Sequence, residues 1–132
     1  KDDLMAKEAV KISSDKLHYF VSSFENFNFP ENECDIASAM FALPFNPATS
    51  FNTVLERIKN SLVKEGIFCG QMFGVNDEWA NNPKMTFHTR KQVEELFSDM
   101  QVFYFHEEEK DGITANGTPK HWHTFHIIAA KN

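Results

Sequence analysis

The sequence predicts an α/β domain: parallel strands flanked by helices, with an antiparallel pair of strands at the carboxyl end. Three observations carry that expectation. The nearly all-apolar run Cys34–Phe41 and the second apolar run Ile67–Phe73 both read as strands covered on two faces. Between them Phe51, Val54, Leu55, Ile58 and Leu62 recur at three- and four-residue spacing, the stripe of an amphipathic helix. Near the end, Val102–Phe105 and Trp122–Ala130 are β-rich and joined without a helix, which calls for antiparallel pairing.

Lys1–Lys16 reads as a short amphipathic helix carrying Leu4, Met5, Ala9 and Val10, with Asp2 and Asp3 in its first turn. Leu17–Val21 reads as a short strand, and Ser22–Asn32, polar and broken by Phe and Pro, as the loop leading to Cys34. After that strand, Asn46 can cap the central helix, with Pro47 in its first turn. Gly66 falls where a left-handed helix cap is wanted. A helix followed by a parallel strand makes a right-handed βαβ unit, and in such sheets ligands bind beyond the carboxyl ends of the strands. The loop Phe41–Phe45 is therefore the first candidate for function.

Val75–Phe87 reads as a long Asn-rich loop holding Trp79, an anchor or a substrate lid. Thr89 and Gln92 fit a capping box ahead of Val93, Leu96 and Phe97, a short helix ending near Ser98. His106–Lys120 carries the turn signals Asp111-Gly112 and Asn116-Gly117. The chain reads as one domain spanning 1–132, long enough to bury a core without staples.

With 13 basic and 19 acidic residues, the net charge of −6 disfavours nucleic acid, which usually needs a basic face. No apolar run is long enough for a membrane span, and no signal peptide is visible. Cys34 and Cys69 fall in strands expected to be buried and read as reduced thiols in a cytoplasmic protein.

The candidate chemical groups are sparse. His121 and His123 share one strand face and His126 the other. Such a pair can titrate near neutral pH, hold a substrate, or start a metal site, though no third ligand lies adjacent. His88 precedes the capping Thr89. Glu107-Glu108-Glu109 and Asp111 read as a solvated acidic face, and Ser22-Ser23-Phe24-Glu25 as a polar loop at a strand end. Met40, Phe41 and Pro44 offer apolar ligand surface or ordinary core. No Walker loop, GxGxxG, GxSxG or HExxH is present.

The order of these segments resembles class I S-adenosylmethionine-dependent methyltransferases, in particular a small bacterial, tellurite-resistance-like group. Asp35–Phe45 is similar to that family's fourth strand and following loop. Leu62-Val63-Lys64-Glu65-Gly66 and Ile67–Gln71 resemble its step into strand five, and Phe20–Glu25 its third strand and acidic loop. Met85–Arg90, Pro119–His123 and the final antiparallel pair complete the match. The resemblance implies a Rossmann-like methyltransferase sheet whose first βαβ unit is absent. Neither the glycine-rich turn after strand one nor the acidic residue after strand two is in the chain, and Ser23 stands where an Asp is usual.

The resemblance also implies S-adenosylmethionine as cofactor and a small molecule as acceptor. It places Ser23 and Phe24 at the adenine end of the cofactor and Ala39, Met40 and Phe41 near its methionine end. Trp79, His88 and Trp122 would face the acceptor, with His121 or His123 as general base. In that family strands one and two separate strand three from strand four. Their absence leaves strand four an unpaired apolar edge, a template for a homodimer or for a repositioned strand three. The rival readings are an inactive α/β scaffold and a His-based metal module.

Overall fold

The computed structural model describes residues 15–132. Its elements are β1 (Cys34–Ala39), a one-turn 3-10 helix (Leu43–Phe45), α1 (Ala48–Ser61), β2 (Leu62–Gly74), β3 (Phe87–His88), α2 (Arg90–Leu96), β4 (Met100–Ile113) and β5 (Pro119–Lys131). The sheet runs β1-β2-β5-β4, with β3 added to β2. β1 and β3 pair with β2 in parallel, and β5 pairs antiparallel with both β2 and β4.

Register assigns the faces. Phe68 lies opposite Ala129, Gly70 opposite Ile127 and Met72 opposite Phe125, so these side chains share one face. They join Phe51, Val54, Leu55 and Ile58 of α1 and Val93 of α2 in one buried cluster, so both helices cover the same side. The other face carries Ile67, Cys69, Gln71 and Phe73 against Ala130, Ile128, His126 and Thr124. There Ile36, Tyr104 and Ile128 are 66%, 48% and 39% exposed.

The parallel βαβ unit and the terminal antiparallel pair stand as expected, and several details differ. β1 is not covered on two faces: it is the edge of the sheet and its residues are mostly half-buried or exposed. Leu17–Val21 forms no strand and pairs with none of the strands of the sheet; Phe20 and Val21 are largely exposed. The expected amino-terminal helix lies, but for Asp15 and Lys16, outside the described residues.

Asn46 does not cap α1. Pro47 occupies the cap position without a side-chain bond, and the buried Asn46 amide instead donates to Leu43 O at 2.9 Å. Nor is Gly66 a helix cap. α1 ends at Ser61, Leu62 already starts β2, and the left-handed residue is Glu65, φ 65°, in the irregular start of β2. Gly66 is needed for close approach instead: a Cβ there would stand 2.9 Å from Val63 O and 3.0 Å from Cys34 O.

α2 is capped as expected, with Gln92 N donating to Thr89 Oγ1 at 3.2 Å and Thr89 N to Gln92 Oε1 at 2.8 Å. The hairpin is far longer than expected. β4 runs through the acidic segment to Ile113, and its reversal into β5 is at residues 114–118, where Gly117 takes φ 83°. Asp111-Gly112 is strand, and Gly112 makes room for the Trp122 indole, whose Cδ1 would lie 3.2 Å from an added Cβ. Cys34 and Cys69 are free thiols, half-buried rather than buried.

Candidate functional site: an aromatic cavity at the carboxyl edge of the sheet

The loop after β2 folds back over the carboxyl ends of β1 and β2, and Asp77 organises it. Its backbone N–H donates to Gly74 O at 3.1 Å. Its carboxylate accepts from Trp79 N at 3.0 Å, from His123 N at 3.1 Å and from Lys120 Nζ at 2.6 Å. Both side chains of the Asp77–Lys120 pair are fully buried. A buried pair recovers its desolvation cost only when further partners complete it, and here they do. The ammonium also donates to His121 O at 3.2 Å. It stands 3.8 Å from the Trp122 ring centroid, 4.3 Å from Trp79 and 5.5 Å from Phe73, a three-ring cation–π enclosure.

The loop is tied to the turn after β1 at its far end: Thr86 N donates to Pro44 O at 2.9 Å and Thr86 Oγ1 to Asn46 O at 2.6 Å. That places Phe45 6.4 Å from Trp79 and 5.9 Å from Phe73, centroid to centroid. Phe41 has φ 46°, a left-handed conformation costly for a bulky side chain. The buried Gln71 holds it: Phe41 N donates to Gln71 Oε1 at 2.7 Å, and Gln71 Nε2 reaches Met40 Sδ at 3.4 Å. The result is an open cavity of about 690 Å³ walled by Phe41, Phe45, Phe73, Trp79 and Trp122, with the β4–β5 turn at its rim.

His121 and His123 lie on the other face of the hairpin from Trp122. His123 is buried, and its Nδ1 accepts from Asn76 N at 3.1 Å, so the ring proton sits on Nε2 and points to Glu107 Oε1 at 3.0 Å. His121 has a carboxylate on each nitrogen, Asp111 at 2.8 Å and Glu109 at 3.0 Å. Two acceptors require two donors, and the hydrogen bonds that the ring donates to Glu109 and Asp111 raise the His121 pKa. As they stand, neither ring has a free lone pair with which to take a proton. The acidic run is correspondingly more than a solvated face: the His123 hydrogen bond, then Arg90, holds the Glu107 carboxyl below its usual range, and His121 and Asn76 do so for Glu109.

His88 lies apart from the aromatic cavity. It borders the cleft between α1 and α2, its ring 4.8 Å from that of Phe51. Its Nδ1 is buried without a hydrogen-bond partner among the described residues, and burial lowers its pKa to about 4. Ser23 is exposed and accepts from Asn26 N at 3.3 Å, while Phe24 packs half-buried against the core. Their turn is held by α1, Ser50 Oγ donating to Glu25 Oε1 at 3.1 Å and Arg57 to Glu25 O at 2.8 Å. Ala39 is buried, and Met40 is 58% exposed beside the open edge of β1.

No protein-family model matches the sequence, and no curated protein sequence does. Solved structures do match. TehB from Haemophilus influenzae superposes with a TM-score of 0.76 over 98% of this chain at 12% identity. The class I methyltransferase fold is the fold of this chain. A SAM-dependent methyltransferase from Methanosarcina mazei matches the methyltransferase fold over 97% of the chain at 16% identity and a TM-score of 0.68. So does the 1,6-didemethyltoxoflavin-N1-methyltransferase of Burkholderia thailandensis, a structure with bound 1,6-didemethyltoxoflavin and S-adenosylhomocysteine, at 17% identity over 97% and a TM-score of 0.67. The chain spans 46% of the TehB chain, 76% of the second and 56% of the third.

Of the residues expected at a site in this methyltransferase fold, the structure brings together Phe41, Trp79 and Trp122. It sets His121 and His123 on the helix-side face, His88 in the interhelical cleft, and Ser23 and Phe24 against α1. Phe73 and Lys120 line the cavity and Asp77 and Gln71 brace it, none of them expected from sequence, whereas Phe45 ends the loop Phe41–Phe45 that was the first candidate. Lys120 and Trp122, two apart on one strand, were the available signal. That an ammonium would stay buried between indoles depends on Asp77, 43 residues away.

Proposed function

We propose that this chain forms the acceptor-binding part of an S-adenosylmethionine-dependent methyltransferase acting on a small molecule. The observation that carries this reading is the built aromatic cavity at the carboxyl edge of a sheet with the methyltransferase fold. The cofactor would supply an electrophilic methyl group, and the protein's work in such a transfer is chiefly positioning. Ala39, Met40 and Phe41 offer an apolar ledge for its methionine end, and Ser23 and Phe24 remain the assignment for its adenine end. The fit is partial: among the described residues no strand passes through a glycine-rich turn into a helix. His121 and His123, with both nitrogens engaged, act as positioning residues that stiffen the hairpin bearing Trp122.

The test is calorimetry with S-adenosylmethionine on this chain and on a version carrying the sequence encoded immediately upstream of Lys1. The longer version is expected to bind, and this chain at least about tenfold more weakly. Absence of binding by both, with no transfer of labelled methyl to any acceptor, overturns the proposal. The edge of β1, unpaired among the described residues and with Ile36 66% exposed beside it, favours a second reading, a non-catalytic scaffold that pairs two copies through β1. Sedimentation of wild type and Ile36→Asp separates them: a dimer lost in the variant supports the scaffold, and a monomer in both ends it.

A further inference from the structure

We infer that the cavity walled by Phe41, Phe45, Phe73, Trp79 and Trp122 takes a flat, uncharged aromatic or heteroaromatic molecule of one or two rings. This rests on the methyltransferase reading only for the role of that molecule, the methyl acceptor; the binding itself is argued from the cavity.

Charge comes first. Among the described residues the one cation at the cavity, Lys120, is fully buried and neutralised by an equally buried Asp77 at 2.6 Å. A second cation entering would meet the same rings with the Lys120 ammonium already within 4.3 Å of both indole centroids. An anion would find no unpaired cation among the lining residues and would face the carboxylate of Glu78, which is one of them. A site whose charges are spent on each other selects for none. What remains facing the opening is ring surface, with Phe41 and Phe45 43% and 52% exposed.

Shape is the second argument. Exposed aromatic side chains at one rim are usually scattered, whereas here five rings converge on one space of about 690 Å³, within the range of small-molecule sites. Ring on ring, offset or edge-to-face, adds attraction beyond burial, which favours a planar aromatic guest over an aliphatic one. Phe41 is held at φ 46° by its bond to Gln71, a conformation the fold maintains against its own cost and which sets the ring at the cavity edge. The turn over the rim brings Asn116, Thr114 and Thr118, polar groups able to meet a ring heteroatom.

The chain contains two tryptophans, and both line this cavity, 5.6 Å apart. Their two indole Nε1–H resonances therefore report on it. The experiment titrates the protein with quinoline, at a pH where its nitrogen is unprotonated, and then with N-methylquinolinium and quinoline-2-carboxylate, which keep the ring and change the charge. The expected result is a saturable shift of both indole resonances with quinoline and at least tenfold weaker binding of both ions. Phe45→Ala, at a half-exposed position, is expected to weaken quinoline at least tenfold while the rest of the spectrum keeps its dispersion. No saturable shift with quinoline overturns the inference, as does equal or tighter binding of either ion, or indifference to Phe45→Ala. Quinoline binding together with failed S-adenosylmethionine binding by calorimetry keeps the ligand class and overturns only its role as acceptor. Cofactor binding without quinoline binding does the reverse.

Discussion

Removing the Lys120 ammonium leaves the Asp77 carboxylate buried among rings with two backbone N–H donors, from Trp79 and His123, and no countercharge. Truncating one partner of a buried pair costs about 3–5 kcal/mol, because the surviving charge keeps its desolvation penalty. Lys120 also loses its approach to three rings, none farther than 5.5 Å, each such contact worth about 0.5–2 kcal/mol. Methionine restores part of that packing, so Lys120→Met is expected to cost about 4 kcal/mol. With a urea m value of about 1.5–2 kcal/mol/M for a domain of this size, the midpoint should fall by roughly 2–3 M at unchanged m. Asp77→Asn in the same chain removes the orphaned charge, though its amide cannot accept at both oxygens as the carboxylate does. The double variant should therefore be more stable than the sum of the two single losses by about 2 kcal/mol. A single-variant loss below about 1 kcal/mol, or strict additivity, would refute the claim that this pair is buried and mutually dependent.

The same geometry gives three other expectations. His88 has a folded pKa near 4 against 6.5 when exposed, so below 6.5 the unfolded chain binds the extra proton. Stability is thus full above pH 6.5 and falls as pH drops toward 4, by at most about 3 kcal/mol; urea midpoints at pH 7 and 4.5 should converge in His88→Phe relative to wild type, and equal pH slopes would count against it. For His121 the sign is opposite: its raised pKa gives a contribution present below 6.5 and lost as pH rises through the folded value. Its ring resonances should titrate above 6.5 and move back toward it in Glu109→Gln, whereas no movement would place the proton elsewhere. Finally, a Cβ at Gly74 would lie 2.0 Å from His123 Nδ1, so Gly74→Ala must displace that ring from both Asn76 and Glu107. A loss of about 1–3 kcal/mol and a Tm lower by several degrees is expected, and an unchanged Tm would contradict the packing.

The parts of the fold that could be read from sequence were those fixed by local periodicity. The stripe of Phe51, Val54, Leu55 and Ile58 gave α1, and the Thr89–Gln92 box gave the start of α2, because both depend on neighbours within one turn. Misreadings arose where a distant partner decides. Leu17–Val21 has strand composition, but composition without a paired neighbour makes no strand, and the segment pairs with none. Asp111-Gly112 is a strong turn signal, overridden by cross-strand pairing of Asp111 with His121 and by the Trp122 indole stacked over the glycine. Gly66 was a reasonable cap by position, but its lack of a side chain serves the approach of β1 instead.

The same division applies to the site. The carboxyl edge was legible, since parallel strands joined by a helix fix which end faces ligand, and Phe41 lay at that end. The polarity of the cavity was not. The sequence shows Lys120 beside three histidines, an arrangement that reads as wet and titratable. Asp77 reverses this by taking Lys120 inward with Trp79 and Trp122, while His121 and His123 turn to the opposite face to meet Glu107, Glu109 and Asp111. Alternation along β5 thus separates two chemistries on one strand. His121 and His123 join Glu107, Glu109 and Asp111 in a hydrogen-bonded lattice that ties the hairpin together, and Lys120 and Trp122 build the floor of an apolar, charge-compensated cavity. A proton-transfer role would require His121 or His123 to reach that cavity, and the pleat directs them away from it.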